Sequence, residues 1–86
     1  MRIEFHRIFK KKYKKIPLKI RRQFDNRLLF FEKDRFNPLL KNHPLTGDRK
    51  GQYSINITGD WRAVYFLQDK NTVIFLDIDI HSNLYK

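Results

Sequence analysis

The sequence predicts an α+β fold in which a hairpin of two helices packs on one face of an antiparallel sheet. Apolar residues recur at helical spacing in the first half of the chain, and alternating strand patterns fill the second half. A segment rich in Pro and Gly, residues 37–51, separates the two halves. The 86 residues, 41% of them hydrophobic, suit a single domain over residues 1–86 with the element order β-α-α-β-β-β.

The first half is predicted to form a short strand and two helices. Residues 2–5 alternate charged and apolar side chains, as a strand does. Helical spacing then begins, with an apolar stripe of Phe9, Tyr13 and Ile16. Pro17 interrupts this pattern and suits the first turn of a second helix, whose stripe is Ile20, Phe24, Leu28 and Phe31. The short break predicts that the helices are antiparallel neighbours.

The second half contains three strand patterns, over residues 52–57, 61–67 and 72–80. In the last strand we expect one face to carry Ile74, Leu76, Ile78 and Ile80, and the other to carry Val73, Phe75, Asp77 and Asp79. Because the helices cover one side of the sheet, polar residues can gather on the other. Apolar residues expected on that open side suggest a partner surface: Val64, Phe66 and Phe75.

Positive charge is concentrated near the N-terminus. The net charge is +10, and residues 2–22 hold ten of the 19 Lys and Arg but only one acidic residue, Glu4. Such a surface attracts polyanions: RNA, DNA, an acidic protein or an anionic membrane. A solvated lysine-rich helix face is the alternative. The residues that we expect to bind RNA are Lys10, Lys11, Lys12, Lys14, Lys15, Arg21 and Arg22.

Composition excludes several classes of protein. The chain has no Cys, which excludes disulfides, thiolate nucleophiles and Cys-based zinc sites. No apolar run approaches the roughly 20 residues that span a bilayer, and the charged N-terminus lacks the apolar segment of a secretory signal. We therefore expect a cytoplasmic protein without a membrane partner, completed by a partner protein.

A few side chains could form a metal-independent ribonuclease site. Such a site needs a base for the 2′-OH proton, an acid for the 5′-oxygen and a cation for the phosphate. His43, His81 and Arg62 could supply these groups, with Tyr85 stacking or relaying a proton. Equally, His43 could be a turn residue in its Asn-His-Pro loop, and Arg62 could be a surface cation stacked on an aromatic ring.

A metal site is the other reading of the polar residues at the end of the last strand. Asp77, Asp79 and His81 could bind a divalent cation. No second His or further acid stands at a useful spacing, so we predict neither a metal nor a cofactor.

Three motifs of the second half resemble those of RelE/YafQ-type toxins of bacterial toxin–antitoxin modules. They are N-H-P-L-T-G at 42–47, the stretch 51–65 that contains G-D-W-R-A-V-Y, and I-H-S-N-L-Y-K at 80–86. The resemblance extends over the whole chain in length, charge and element order. It implies the RelE-like fold and cleavage of mRNA in the ribosomal A site. The 2′-OH attack would leave a 2′,3′-cyclic or 3′-phosphate and a 5′-hydroxyl.

The resemblance also implies residue roles. The residues that match functional positions of the YafQ branch are His43, Asp60, His81 and Tyr85. Arg62 matches the arginine with which RelE-type enzymes hold the scissile phosphate. Asn56 stands where YafQ-like enzymes often carry His, and we expect it to be a substrate ligand. His81 is then the general acid, and either His43 or Asp60 is the base.

The implied partners are a cognate antitoxin, with which higher-order complexes can form, and the ribosome with its rRNA and mRNA. An alternative is a ParE-like toxin, which shares the fold but inhibits DNA gyrase by protein contact. A basic RNA-binding module without catalysis is a third interpretation. The joint presence of His43, Arg62, His81 and Tyr85 favours the nuclease.

Overall fold

The computed structural model describes residues 1–84, and these begin with β1 (Arg2–Phe5), α1 (Arg7–Tyr13) and α2 (Leu18–Lys33). His6 caps α1, because its ring Nδ1 accepts a hydrogen bond from the Ile8 N–H at 3.1 Å. Pro17 stands at the N-cap of α2, where a helix does not need the N–H that proline lacks. The predicted strand and two helices are confirmed. None of the helices in residues 1–84 has the length and apolar character of a membrane span.

The segment predicted as a loop contains short regular elements. Two 3-10 helices span Pro38–Leu40 and Gly47–Arg49, and between them β2 (His43–Pro44) joins the edge of the sheet. The sequence does not reveal β2, because two residues are too few to show alternation and Pro44 cannot donate a ladder hydrogen bond. This strand places His43 on the sheet rather than in a free loop.

Three longer strands complete the sheet: β3 (Tyr53–Asn56), β4 (Trp61–Asp69) and β5 (Thr72–Ile80), which leads directly into α3 (His81–Leu84). The strand order is β1-β5-β4-β3-β2, with β1 parallel to β5 and the other neighbours antiparallel. The predicted α+β class is confirmed, and the sheet is mixed rather than wholly antiparallel. Alternation identifies a strand but not the strand with which it pairs, so the sequence pattern could not predict the parallel pairing of β1 with β5.

Helices α1 and α2 pack on one face of the sheet, which we call the helix face, through an aromatic core. Phe9 of α1 and Phe24 of α2 have ring centroids 5.2 Å apart, and Phe75 of β5 lies 5.8 and 5.5 Å from them. Phe31 and Tyr65 extend the cluster, with centroids 5.0 Å apart. All five side chains are at most 2% exposed, so this face supplies much of the hydrophobic stabilisation.

A β-bulge in β5 shifts the alternation that the sequence predicts. The adjacent β4 residues Val64 and Tyr65 pair with Asp77 and Phe75, respectively. Leu76 therefore has no partner in β4 and is the extra residue of the bulge. As a result, Phe75 and Ile78 both belong to the helix-face core. The predicted grouping of Phe75 with Asp77 on one face, and of Leu76 with Ile78 on the other, is therefore wrong.

The opposite face, which we call the cleft face, carries two rows of paired residues. One row is Ser54, Val64 and Asp77, and the next is Asn56, Arg62 and Asp79. Ser54 and Val64 are fully buried, because Arg49 and α3 lie against this face.

The apolar surface expected on this side is mostly absent. Val64 is fully buried, Phe75 lies in the helix-face core, and only Phe66 is half-buried. The sequence pattern could not reveal this, because the bulge and the covering segments depend on contacts between distant residues.

Candidate active site

A cleft of about 750 Å³ opens on the cleft face where β2, the following 3-10 helix and the start of α3 meet. The polar side chains that line it are His43, Thr46, Asp48, Arg49, Gln52 and His81. The structure therefore places His81, the expected acid, and His43, one of the two expected bases, at the same cleft. Arg49, Asp48, Thr46 and Gln52 are cleft residues that sequence reasoning missed.

His43 is held by its own turn. It pairs with Ser54 across the β2–β3 ladder, and its ring Nδ1 lies 2.9 Å from the Lys41 carbonyl oxygen. Since a carbonyl oxygen only accepts, Nδ1 carries the hydrogen of this bond. In the neutral ring the lone pair then resides on Nε2, which is the form a general base requires.

His81 is the first residue of α3, and its backbone is fixed by the turn that follows β3. Its N–H donates to the Asp60 carbonyl oxygen at 2.8 Å. The His81 side chain is exposed at the cleft. Asp60 thus contacts His81 through its backbone, while its own exposed side chain is not among those that line the cleft.

Arg49 crosses the cleft face with hydrogen bonds to three separate parts of the chain. Nε donates to the Leu84 carbonyl oxygen at 3.1 Å, Nη1 to Gln52 Oε1 at 3.0 Å, and Nη2 to Asp77 Oδ2 at 3.1 Å. Its side chain is 26% exposed. The only signal in the sequence is an arginine in a Gly-bounded loop, and that pattern is too common to predict such a position.

Lys12 of α1 holds the two carboxylates of β5. Its Nζ lies 2.7 Å from Asp77 Oδ1 and 3.2 Å from Asp79 Oδ2. Burial alone would lower the pKa of Lys12, but the hydrogen bonds and charges of Asp77 and Asp79 outweigh burial and raise it. Burial alone would raise the pKa of Asp79, but hydrogen bonds from Asn83, the Ile80 N–H and Lys12 lower it. Within residues 1–84, no three His, Cys, Asp or Glu side chains are grouped to hold a metal.

Arg62 and Asn56 lie next to the cleft rather than in it. Arg62 stands between Asn56 and Asp79 in its row, but its Nη1 turns back to the Thr58 and Gly59 carbonyl oxygens at 2.9 and 3.0 Å. Neither Arg62 nor Asn56 is among the cleft-lining residues. Their roles in catalysis and substrate binding stay predictions.

The basic residues of the N-terminal segment fall into two groups. Five of the seven expected to bind RNA are exposed: Lys10, Lys11, Lys14, Lys15 and Arg22. Arg21 is half-buried, and Lys12 is half-buried with its charge engaged by Asp77 and Asp79. Tyr85, predicted to stack or relay a proton, lies outside the described residues.

Comparisons with known proteins agree with this architecture. A family model described as the bacterial toxin YafQ of a type II toxin–antitoxin system matches residues 1–86. A YoeB/ParE toxin from Agrobacterium tumefaciens superimposes with a TM-score of 0.78 at 20% identity, over 94% of this chain and 99% of that one. YafQ from E. coli strain BL21(DE3) gives 0.72 at 23% identity, over 100% of both chains.

The E. coli DinJ–YafQ complex contains a chain that matches with a TM-score of 0.71 at 25% identity, over 100% of both chains. A comparison with curated protein sequences found no match. The structural likenesses confirm the predicted RelE-like fold.

Proposed function

The chain belongs to the YafQ family of bacterial toxins of type II toxin–antitoxin systems, and we propose that it is an endoribonuclease that cleaves mRNA on the ribosome. The observation that carries this proposal is the cleft shared by His43 and His81. One imidazole can accept the proton of the attacking 2′-OH, and the other can donate a proton to the leaving 5′-oxygen. That is what cleavage of RNA without a metal requires.

In the proposed reaction, Nε2 of His43 takes the proton from the ribose 2′-OH. The 2′-oxygen then forms a bond to phosphorus, the bond to the 5′-oxygen breaks, and His81 donates a proton to that leaving oxygen. The products are a 2′,3′-cyclic phosphate, or the 3′-phosphate after hydrolysis, and a 5′-hydroxyl. Asp60 is the alternative base, Asn56 a substrate ligand, and Tyr85 a stacking or relay group. By resemblance, Arg62 contacts the phosphate.

The exposed basic residues of α1, of the segment that follows it and of the start of α2 are proposed to bind rRNA. Lys10, Lys11, Lys14, Lys15 and Arg22 are exposed, and contacts between such side chains and phosphates do not require a particular base sequence. Lys12 has a different proposed role: it supports Asp77 and Asp79.

We also propose an acidic or amphipathic antitoxin as the protein partner. Solved complexes of relatives include E. coli DinJ–YafQ and RelBE2 from Mycobacterium tuberculosis, and a net charge of +10 favours an acidic partner. Co-expression with the neighbouring small reading frame should yield a stable complex. Recovery of free, harmless toxin from that co-expression would contradict the idea.

The test of the activity is purified protein added to translating ribosomes with a defined mRNA, followed by mapping of the RNA ends. His81→Ala should lower single-turnover cleavage by about 10²- to 10⁴-fold and leave ribosome affinity nearly unchanged. The matched control is His6→Asn, which keeps the α1 cap acceptor and lies outside the cleft. Asp60→Asn and His43→Ala compared side by side identify the base.

Treatment of the purified toxin with a chelator, which is removed before the ribosomes are added in their Mg²⁺ buffer, should leave the rate unchanged. Wild-type cleavage by the His81→Ala variant, or loss of activity after this treatment, would contradict the site assignment. Inhibition of DNA gyrase without RNA cleavage would replace the ribonuclease with the ParE-like function.

A further inference from the structure

We infer that Arg49 forms a phosphate-binding subsite in the cleft, that Asp77 positions it there, and that this subsite takes the scissile phosphate. The inference rests on the proposed ribonuclease activity for the identity of the phosphate. It differs from the assignment by motif, which gives the phosphate to Arg62.

The first argument is location. Arg49 lines the same cleft as His43 and His81, whereas Arg62 does not. A cation that stabilises charge developing on a phosphate must reach the phosphate whose attacking 2′-oxygen and leaving 5′-oxygen are served by the base and the acid. Arg62 Nη1 is also within hydrogen-bond distance of three carbonyl oxygens, those of Thr58, Gly59 and Trp61. These contacts hold Nη1 at the turn between β3 and β4, and Arg62 is not among the residues that line the cleft.

The second argument is preorganisation. The bonds of Arg49 to Leu84 O, Gln52 Oε1 and Asp77 Oδ2 use three of the five N–H groups of a guanidinium. No acceptor in residues 1–84 takes the remaining two, one on each Nη. A planar fork held from three sides can bind an anion without first losing side-chain freedom.

The third argument is charge balance. Asp77 binds Arg49 through Oδ2 and Lys12 through Oδ1, and Lys12 also binds Asp79. Two cations therefore face two carboxylates. Lys12 offsets the negative charge of Asp77, which would otherwise weaken the attraction between Arg49 and a phosphate. With a side chain that is 26% exposed, Arg49 is less screened by solvent than the surface lysines. Asp48, the acid that also lines the cleft, is exposed.

Binding of inorganic phosphate tests the subsite without any cleavage. The ring signals of His43 and His81 are followed by NMR during a phosphate titration at constant pH and ionic strength. Arg49→Ala should weaken binding by about tenfold or more, as expected when a charge-assisted hydrogen bond is removed. Lys50→Ala, at an exposed neighbour of Arg49, should change binding by less than about threefold. Arg62→Ala should weaken binding less than Arg49→Ala does.

Cleavage on the ribosome tests whether the subsite takes the scissile phosphate. Arg49→Ala should lower kcat by roughly 10²- to 10³-fold, the usual loss for one transition-state donor. Added guanidinium at millimolar concentration should partly restore Arg49→Ala and leave His81→Ala unchanged. Lys50→Ala should cleave at the wild-type rate within about twofold.

The positioning role of Asp77 is tested by a double-mutant comparison. Asp77→Ala should lower kcat by about tenfold, and Asp77→Asn, which keeps an acceptor for Nη2, should recover part of that loss. Arg49→Ala with Asp77→Ala should be no slower than Arg49→Ala alone, because Asp77 affects the chemical step through Arg49. Additive losses of kcat between variants with the same folded fraction would contradict this role.

Three results would overturn the inference. The first is unchanged phosphate affinity in Arg49→Ala, and the second is the absence of any phosphate effect on the NMR ring signals of His43 and His81 in the wild type. The third is a larger loss of phosphate affinity or kcat in Arg62→Ala than in Arg49→Ala. Phosphate binding that depends on Arg49, in a protein that cleaves no RNA, would reject the proposed function instead and leave the anion subsite in place.

Discussion

The two faces of the sheet are built from different chemistry. The helix face buries an aromatic core that includes Phe24 and Phe75, and its contacts are apolar. The cleft face buries Ser54 and Val64 beneath Arg49, and it is connected by charges from Lys12 to Asp77 and on to Arg49. Apolar contacts have no direction and add up with area, whereas charge-assisted bonds fix individual groups in position. We therefore expect substitutions on the helix face to affect stability, and those on the cleft face to affect activity first.

The largest effect on stability should come from the aromatic core. Phe24→Ala removes a ring that is 1% exposed and contacts Phe9 and Phe75. It should lower the free energy of unfolding by about 3–5 kcal/mol, because it combines reduced apolar burial with a cavity. The matched control is Phe36→Ala, since Phe36 is 64% exposed and should cost less than about 0.5 kcal/mol. Equal losses in urea denaturation would contradict the division between the faces.

An intermediate effect is expected where the helical layer meets the cleft face. Lys12→Met leaves Asp77 and Asp79 half-buried without their lysine and should cost about 1–2 kcal/mol at pH 7, between the values for exposed and buried pairs. Lys11→Met is the matched control, because Lys11 is exposed.

The cost of Lys12→Met should depend on pH. The pKa of Asp79 lies below its ordinary 3.8, so its stabilising charge is present above about pH 4 and is lost as the pH falls further. The pKa of Lys12 lies above its ordinary 10.5, so its contribution is lost only as the pH rises beyond that value. The free energies of unfolding of Lys12→Met and Lys11→Met should therefore converge at both low and high pH. A difference that is constant from pH 3 to pH 11 would show that the ion pairs do not cause it.

A smaller effect concerns the exposed lysines, which belong to neither face. Replacing Lys14 and Lys15 by Gln should reduce the salt dependence of ribosome binding, by roughly 0.7–0.9 in the slope of log K against log salt for each phosphate that is no longer neutralised. Single-turnover cleavage by bound toxin should not change. Lys33 and Lys70, exposed elsewhere on the surface, provide the control substitutions. An equal change in slope for both pairs would show that total charge, rather than this segment, governs docking.

The smallest effect should come from Ser54. Its Oγ is buried and has no hydrogen-bond partner among residues 1–84. Ser54→Ala should therefore change the free energy of unfolding by less than about 0.5 kcal/mol, or stabilise the protein slightly, because no hydrogen bond is removed. Ser82→Ala, at an exposed position of α3, is the reference. A loss above about 1 kcal/mol in urea denaturation would mean that the hydroxyl makes a stabilising interaction in solution.

Local patterns in the sequence were sufficient to predict β1, α1, α2 and the three longer strands. The spacing of Phe9, Phe24 and Phe31 reports which side of a helix is buried, and this spacing does not depend on the rest of the chain. The motifs around His43 and His81 were likewise sufficient to select the two histidines that line one cleft.

The tertiary structure decided what local periodicity cannot express. The bulge at Leu76 placed Asp77 and Phe75 on opposite faces of the sheet, and β1 paired with β5 in the parallel direction. Folding also joined Lys12 to Asp77, although they lie 65 positions apart in the sequence. Arg49 had no pattern that marked it, and its place in the cleft results from bonds to Gln52, Asp77 and Leu84. Periodicity records which side of an element is buried, because that depends on neighbours a few residues away. Register and ion pairing depend on the free energy of contacts between distant segments, and these exist only once the chain has folded.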